Sequence, residues 1–85
     1  MKTAAKNLAA KLVEKLGAGW TVDVADDGRN LDVLKNGVRG RVCVDFRTRK
    51  AEHYKPMDEG YTVLKLGAVQ DVDGLIAKIR QALES

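Results

Sequence analysis

The sequence predicts an α+β fold in which a helix, a four- to five-stranded antiparallel β-meander and a second helix form one domain, residues 1–85. Two amphipathic segments, one near each end of the chain, predict the helices. Between them apolar and polar residues alternate with a period of two, as in strands that have one buried face. The dipeptides Asp27-Gly28 and Asn36-Gly37 separate alternating segments and favour two-residue hairpin turns. We therefore expect both helices to pack on the apolar face of one sheet.

The composition is that of a folded, soluble, single-domain chain. Its 85 residues are 45% hydrophobic and 32% charged, and single cores usually occupy about 50–200 residues. One cysteine, Cys43, cannot close an intramolecular disulfide, which favours a reducing compartment. The longest apolar run is far shorter than the roughly 20 residues of a membrane span, and lysines interrupt the N-terminal segment. We expect a cytoplasmic protein that does not bind membranes.

The first helix is predicted over residues 3–16, with Thr3 as its N-cap and Gly17 just after its end. Apolar residues recur at steps of three and four on the face expected to be buried: Ala5, Leu8, Ala9, Leu12, Val13 and Leu16. A first strand should follow, because Trp20, Val22 and Val24 alternate with more polar residues.

Two-residue turns at Asp27-Gly28 and Asn36-Gly37 predict the register of the first three strands. The first turn places Val24 opposite Leu31 and Val22 opposite Val33. The second places Leu31 opposite Val42 and Val33 opposite Gly40. Each of these partners is apolar or glycine, so both turns predict the same buried face.

The central strand is predicted from Val38 to Phe46, with arginines on the face opposite the core. Arg47 to Lys50 then form a hairpin tip, and residues 51–55 a short returning strand. The alternative is that the third strand continues through Arg49 and a loop follows. Pro56 should end the ladder, since proline has no N–H to donate.

The last two elements are a strand and a helix. The strand is predicted over residues 61–66, with Leu64 and Leu66 inward and Gly67 ending it. Asp71 should cap the second helix. Its apolar side comprises Val72, Leu75, Ile76, Ile79, Ala82 and Leu83.

Positive charge is concentrated in the sheet region. Residues 29–55 hold eight basic and three acidic side chains, whereas the whole chain has a net charge of only +3. Arginine pairs bidentately with carboxylate or phosphate, so this region is expected to attract an anionic partner. The predicted binding residues, which include one tyrosine able to stack on a partner, are Arg39, Arg41, Arg47, Arg49, Lys50 and Tyr61.

Catalytic and metal-binding interpretations have little support in the sequence. Asp23 and Asp32 are expected to face each other, but on an open sheet near Arg41 rather than in the enclosed pocket that an acid–base pair needs. Cys43 and His53 would lack a third group to orient them. The glycines have no nucleotide-binding spacing. We expect no cofactor, no metal and no enzymatic activity.

We therefore expect a small binding protein that docks a basic sheet face on a protein or nucleoprotein with an acidic surface. A short chain without an enzyme motif is typical of accessory proteins, including those of phages and mobile elements that inhibit host machinery. The alternative is direct binding of DNA or RNA by the same arginines. A homodimer through an apolar patch of Leu34, Tyr61 and Val63 on the open sheet face is also open.

Overall fold

The predicted order of elements is confirmed. The computed structural model describes residues 2–84. Its elements in chain order are α1 (Lys2–Leu16), β1 (Trp20–Val24), β2 (Asn30–Lys35), β3 (Arg41–Asp45), β4 (Lys50–Pro56), β5 (Tyr61–Ala68) and α2 (Val72–Glu84). The strands form one antiparallel meander in the order β1-β2-β3-β4-β5.

One face of the sheet and both helices enclose the core. Leu31, Val33, Val42 and Val44 point to this face and are fully buried. They pack in one cluster with α1 side chains such as Leu12 and with the α2 residues Leu75, Ile79 and Leu83. The opposite face of the sheet, called here the open face, carries no helix within residues 2–84. Burial of the inner face therefore fixes which side chains reach the open face.

The first hairpin has the predicted register but a different turn. Val24 lies opposite Leu31 and Val22 opposite Val33. The ladder closes at Ala25, whose N–H donates to the carbonyl of Asn30, leaving a four-residue loop. Within it Gly28 has positive φ and Asp27 does not, so a type I′ turn at Asp27-Gly28 is wrong. The Asp27 carboxylate instead accepts the backbone N–H groups of Arg29 and Asn30.

The register predicted for β2 and β3 is wrong by two residues. Leu31 lies opposite Val44 and Val33 opposite Val42, because residues 36–40 form the connection instead of Asn36-Gly37 alone. Gly37 and Gly40 both have positive φ, a conformation that glycine adopts without strain and that ends the extended pattern. The strand predicted to begin at Val38 therefore begins at Arg41. A shift of two leaves every side chain on its predicted face.

The hairpin tip and the returning strand are confirmed. Residues 46–49 connect β3 to β4, and β4 continues to Pro56, opposite Tyr61. The last strand does not end at Gly67. Ala51 faces Gly67 while Glu52 faces Lys65, so Leu66 is an extra residue in a β-bulge and β5 reaches Ala68.

The helices differ from prediction in two details. Helix α1 begins at Lys2, so Thr3 lies inside it rather than capping it, and Val13 is 40% exposed because it faces away from the sheet. Asp71 caps α2 as predicted, accepting the N–H of Gly74 at 3.1 Å. Within residues 2–84, neither helix has the length and hydropathy needed to cross a membrane.

His53 should make stability depend on pH, because it is a buried imidazole on the inner face between Val42 and Leu64. Burial and the nearby charge of Lys55 lower its pKa below 6.5. The folded state thus stays neutral while the unfolded chain binds a proton, so stability should fall as pH drops below about 6.5. Chemical denaturation between pH 7 and 5 should show this slope in the natural chain and lose most of it in His53→Leu. An equal slope in both would contradict the assignment.

Candidate functional site

The structure separates the six predicted binding residues into two groups. Arg47, Arg49 and Lys50 lie at or next to the β3–β4 tip, while Arg39, Arg41 and Tyr61 lie near the other end of the same strands. Strand β3 has five residues, so its two ends lie about 13 Å apart at the rise of a strand. The arginines therefore form two separate groups rather than one continuous row.

Arg49 stabilises the fold at the tip. It has φ of +61°, and its N–H donates to the carbonyl of Asp45 at 2.7 Å. Its side chain donates from Nε to the carbonyl of Phe46 and from Nη1 to the carbonyl of Gln70, each at 3.2 Å. Gln70 returns a hydrogen bond to the Thr48 carbonyl at 3.3 Å. Arg49 thus joins the tip to the connection between β5 and α2, which leaves less of its guanidinium for a partner.

Replacing Arg49 by alanine should lower the free energy of unfolding by about 1–2 kcal/mol, since two side-chain hydrogen bonds from a charged donor are lost, one part-buried and one exposed. Arg47→Ala is the matched control. Its side chain is exposed and makes no hydrogen bond or ion pair within residues 2–84, so the change should be within about 0.5 kcal/mol. Urea denaturation of both variants measures the difference. Equal stabilities would contradict the role given to Arg49.

At the other end of the strands, arginine and aromatic side chains adjoin on the open face. The Arg41 guanidinium lies 4.7 Å from the ring centre of Tyr54, directly across the β3–β4 pair. Its Nε is also 3.4 Å from a carboxylate oxygen of Asp32. Val63 lies opposite Tyr54 on the far side and is 45% exposed. The contacts with Tyr54 and Asp32 therefore hold the Arg41 guanidinium in place, while the nearby Val63 stays accessible to a partner.

Arg39 and Tyr61 lie beside this group. Arg39 is exposed in the β2–β3 connection and lines an open cleft of about 800 Å³ with Pro56, Met57, Asp58 and Glu59. Tyr61 lies opposite Pro56 and is 63% exposed. We call Arg39, Arg41, Tyr54, Tyr61 and Val63 the sheet-end patch.

The open face is less basic than the sequence suggested. One row across the sheet pairs Asp23 with Asp32, then Cys43, Glu52 and Lys65 in succession. This acidic row lies beside the row that contains Arg41. Asp58 and Glu59 also flank Arg39 in the cleft. This distribution of charge follows from the register, because the three acids of the row, Asp23, Asp32 and Glu52, lie on strands whose pairing decides which arginine they meet.

Cys43 and His53 do not form a pair. Cys43 points to the open face, whereas His53 is buried on the inner face. Cys43 is opposite Glu52 and His53 is opposite Val42, and successive residues of a strand point to opposite faces. Burial, followed by the charge of Asp32 and its hydrogen bond, raises the pKa of the Cys43 thiol to about 11. The thiol is therefore protonated at neutral pH and a poor nucleophile.

Cys43 should react slowly with iodoacetamide. With a pKa of about 11, about one thiol in a thousand is ionised at pH 8. Alkylation followed by mass spectrometry should be at least about tenfold slower for the folded protein than for the protein in urea. Equal rates would mean that the folded chain does not suppress the thiolate.

The sequence argument left Tyr54 and Val63 out of the binding residues. Tyr54 joins the patch because it is opposite Arg41, and Val63 because it is opposite Tyr54. The length of the β3–β4 tip decides that Tyr54 pairs with Arg41. The β4–β5 turn decides that Val63 pairs with Tyr54. The alternation of Tyr61 and Val63 in the last predicted strand already placed these two on one face.

The three residues of the predicted homodimer patch do not lie together on the open face. Leu34 is half-buried on β2, with β3 and β4 between it and the exposed Tyr61 and Val63 on β5. Tyr61 and Val63 therefore adjoin the arginines of the sheet-end patch rather than Leu34.

Comparisons with models of protein families, with curated proteins and with solved structures find no match.

Proposed function

We propose that this chain is a non-enzymatic binding protein that docks its sheet-end patch on a protein, or on the protein part of a nucleoprotein. The observation that carries the proposal is the grouping of Tyr54, Tyr61 and Val63 with Arg41 on the open face, next to Arg39 in the β2–β3 connection. Tyrosine and arginine are, with tryptophan, the residues most enriched among those that dominate the energy of protein interfaces.

The geometry of Arg41 suits docking at low entropic cost. Its stacking on Tyr54 and its ion pair with Asp32 restrict the guanidinium before a partner arrives, so less side-chain freedom is lost on binding. Its remaining N–H groups, with those of Arg39, favour carboxylate groups on the partner. An accessory or inhibitory role, of the kind that small phage and mobile-element proteins have, fits a module that acts by occupying a surface.

Direct nucleic-acid binding is the competing function. It is less favoured because Asp32, Glu52, Asp58 and Glu59 lie beside the arginines and would repel phosphate. Nucleic-acid binders typically cluster their basic groups in one patch or stripe, and here the basic groups are divided between two ends of the sheet.

Fluorescence anisotropy with labelled single- and double-stranded DNA and RNA separates the two functions. The proposal predicts no binding at physiological salt, or weak binding that modest salt removes. Tight binding at physiological salt that disappears when Arg39, Arg41, Arg47 and Arg49 are changed to alanine would overturn it in favour of nucleic-acid recognition. Arg49→Ala alone serves as the control for loss of stability.

A further inference from the structure

Strand β5 is an open edge of the sheet. It is eight residues long, and β4 is its only strand neighbour in residues 2–84. Seven of its eight residues are exposed, the exception being the half-buried Leu66. A long, mainly apolar edge is a ready template for another strand, and proteins usually cover or interrupt such edges.

The hydrogen-bond pattern identifies which backbone groups are open. At the β4–β5 turn the N–H of Met57 donates to the carbonyl of Gly60 at 2.9 Å. Bonded and non-bonded pairs alternate along an antiparallel ladder, so Thr62 and Leu64 bond to β4. The backbone groups of Tyr61, Val63 and Lys65 therefore point away from the sheet. The bulge at Leu66 limits straight pairing to residues 61–65.

A groove runs beneath this edge, on the inner face, where the helices do not cover the sheet. It has a volume of about 290 Å³ and lies between β5 and α2, lined by His53, Lys55, Leu64, Leu66, Lys78, Gln81 and Ala82. Leu64 points into the core side of the sheet yet is 43% exposed. An apolar floor beside an unpaired strand is suited to alternate side chains of an added strand.

The charge at this groove selects the occupant. Lys55 and Lys78 line it, Lys65 lies on the same strand edge, and no acidic side chain is among the lining residues. None of these three lysines makes an ion pair with another residue of the described range 2–84. A second copy of the chain paired through β5 would bring two lysine-rimmed grooves to one seam, which like charges disfavour. An acidic segment is complementary instead.

We propose that an extended, acidic segment of a protein partner adds to β5 as a sixth strand, with apolar side chains in the groove and carboxylates against Lys55 and Lys78. The inference rests on the proposed function, since it names the kind of protein segment that the module captures. Main-chain hydrogen bonds to residues 61–65 supply affinity, and the groove and its lysines supply specificity.

A library of random twelve-residue peptides displayed for selection against the full chain tests this inference. Selected peptides should alternate apolar residues and carry Asp or Glu, and should protect the amides of Tyr61, Val63 and Lys65 from hydrogen exchange. The double variant Lys55→Glu, Lys78→Glu should bind them at least tenfold more weakly by calorimetry. Lys6→Glu, Lys11→Glu makes the same charge change on the exposed side of α1 and should bind them within about twofold.

Failure has two distinguishable forms. No enrichment of peptides, or peptides that bind both double variants equally, overturns strand addition at β5. If changes in the sheet-end patch still abolish capture of a natural partner in that case, the docking function survives without this inference. Self-association of the chain that Leu64→Glu abolishes, measured by light scattering, would also overturn it, because the edge would then be occupied by a second copy.

Discussion

Gly40→Ala is expected to lower the melting temperature by about 8 °C or more. A Cβ at this position would lie 2.6 Å from the Tyr54 carbonyl oxygen and 2.8 Å from Cδ of Pro56. The residue also has φ of +91°, which costs an L-residue about 1–2 kcal/mol. The clash adds a further 1–3 kcal/mol or so, as overpacking does. Each kcal/mol shifts the melting temperature of a domain this small by about 4–8 °C.

Gly37→Ala is the matched control, because Gly37 is in the same connection with φ of +80°, and no described residue other than its two chain neighbours has an atom within 4 Å of the added Cβ. The free energy of unfolding of this variant should fall only by the backbone cost of positive φ, about 1–2 kcal/mol. Thermal unfolding followed by circular dichroism compares the two. If the two variants had similar melting temperatures, the close approach of Gly40 to Tyr54 and Pro56 would not be what holds the β2–β3 connection against β4.

Tyr61→Ala is expected to weaken partner binding by about 30-fold or more, because dominant interface residues contribute about 2 kcal/mol or more when truncated. With its side chain 63% exposed, the melting temperature should change little, as for other exposed positions. The partner is first captured by the immobilised chain, then purified, and its affinity for each variant is measured by calorimetry.

Two controls accompany Tyr61→Ala. Tyr61→Phe keeps the ring and should retain most of the affinity, and Arg47→Ala at the opposite tip should leave it within about twofold. Full affinity in Tyr61→Ala would remove Tyr61 from the interface. A large loss in Arg47→Ala would instead place the partner at the tip.

Local patterns were sufficient to predict the arrangement of elements and their faces. Alternation identified β1 and β3, the three- and four-residue spacing of apolar residues identified both helices, and the Asp71 cap identified the start of α2. The buried face survived an error of two residues in the β2–β3 register, because side chains in a strand alternate with a period of two. Gly40 explains that error, since its positive φ ends the extended backbone before Arg41.

Contacts between distant residues were not accessible from the sequence. The bond from Arg49 to the Gln70 carbonyl joins residues 21 positions apart, and no local pattern marks it. The stacking of Arg41 on Tyr54 depends on the exact length of the tip. The exposure of Leu64 depends on how far α2 extends over the sheet. The sequence alone therefore could not distinguish an arginine that stabilises the fold, such as Arg49, from one that is accessible to a partner; the three-dimensional structure was needed.

Hydrogen–deuterium exchange of the chain with its purified partner tests most directly whether the sheet-end patch is the docking surface. The account predicts protection of residues 38–41 and of the β4–β5 hairpin around Tyr54, Tyr61 and Val63, with exchange at the 46–49 tip unchanged. Protection confined to the tip, with β5 exchanging as in the free protein, would contradict it.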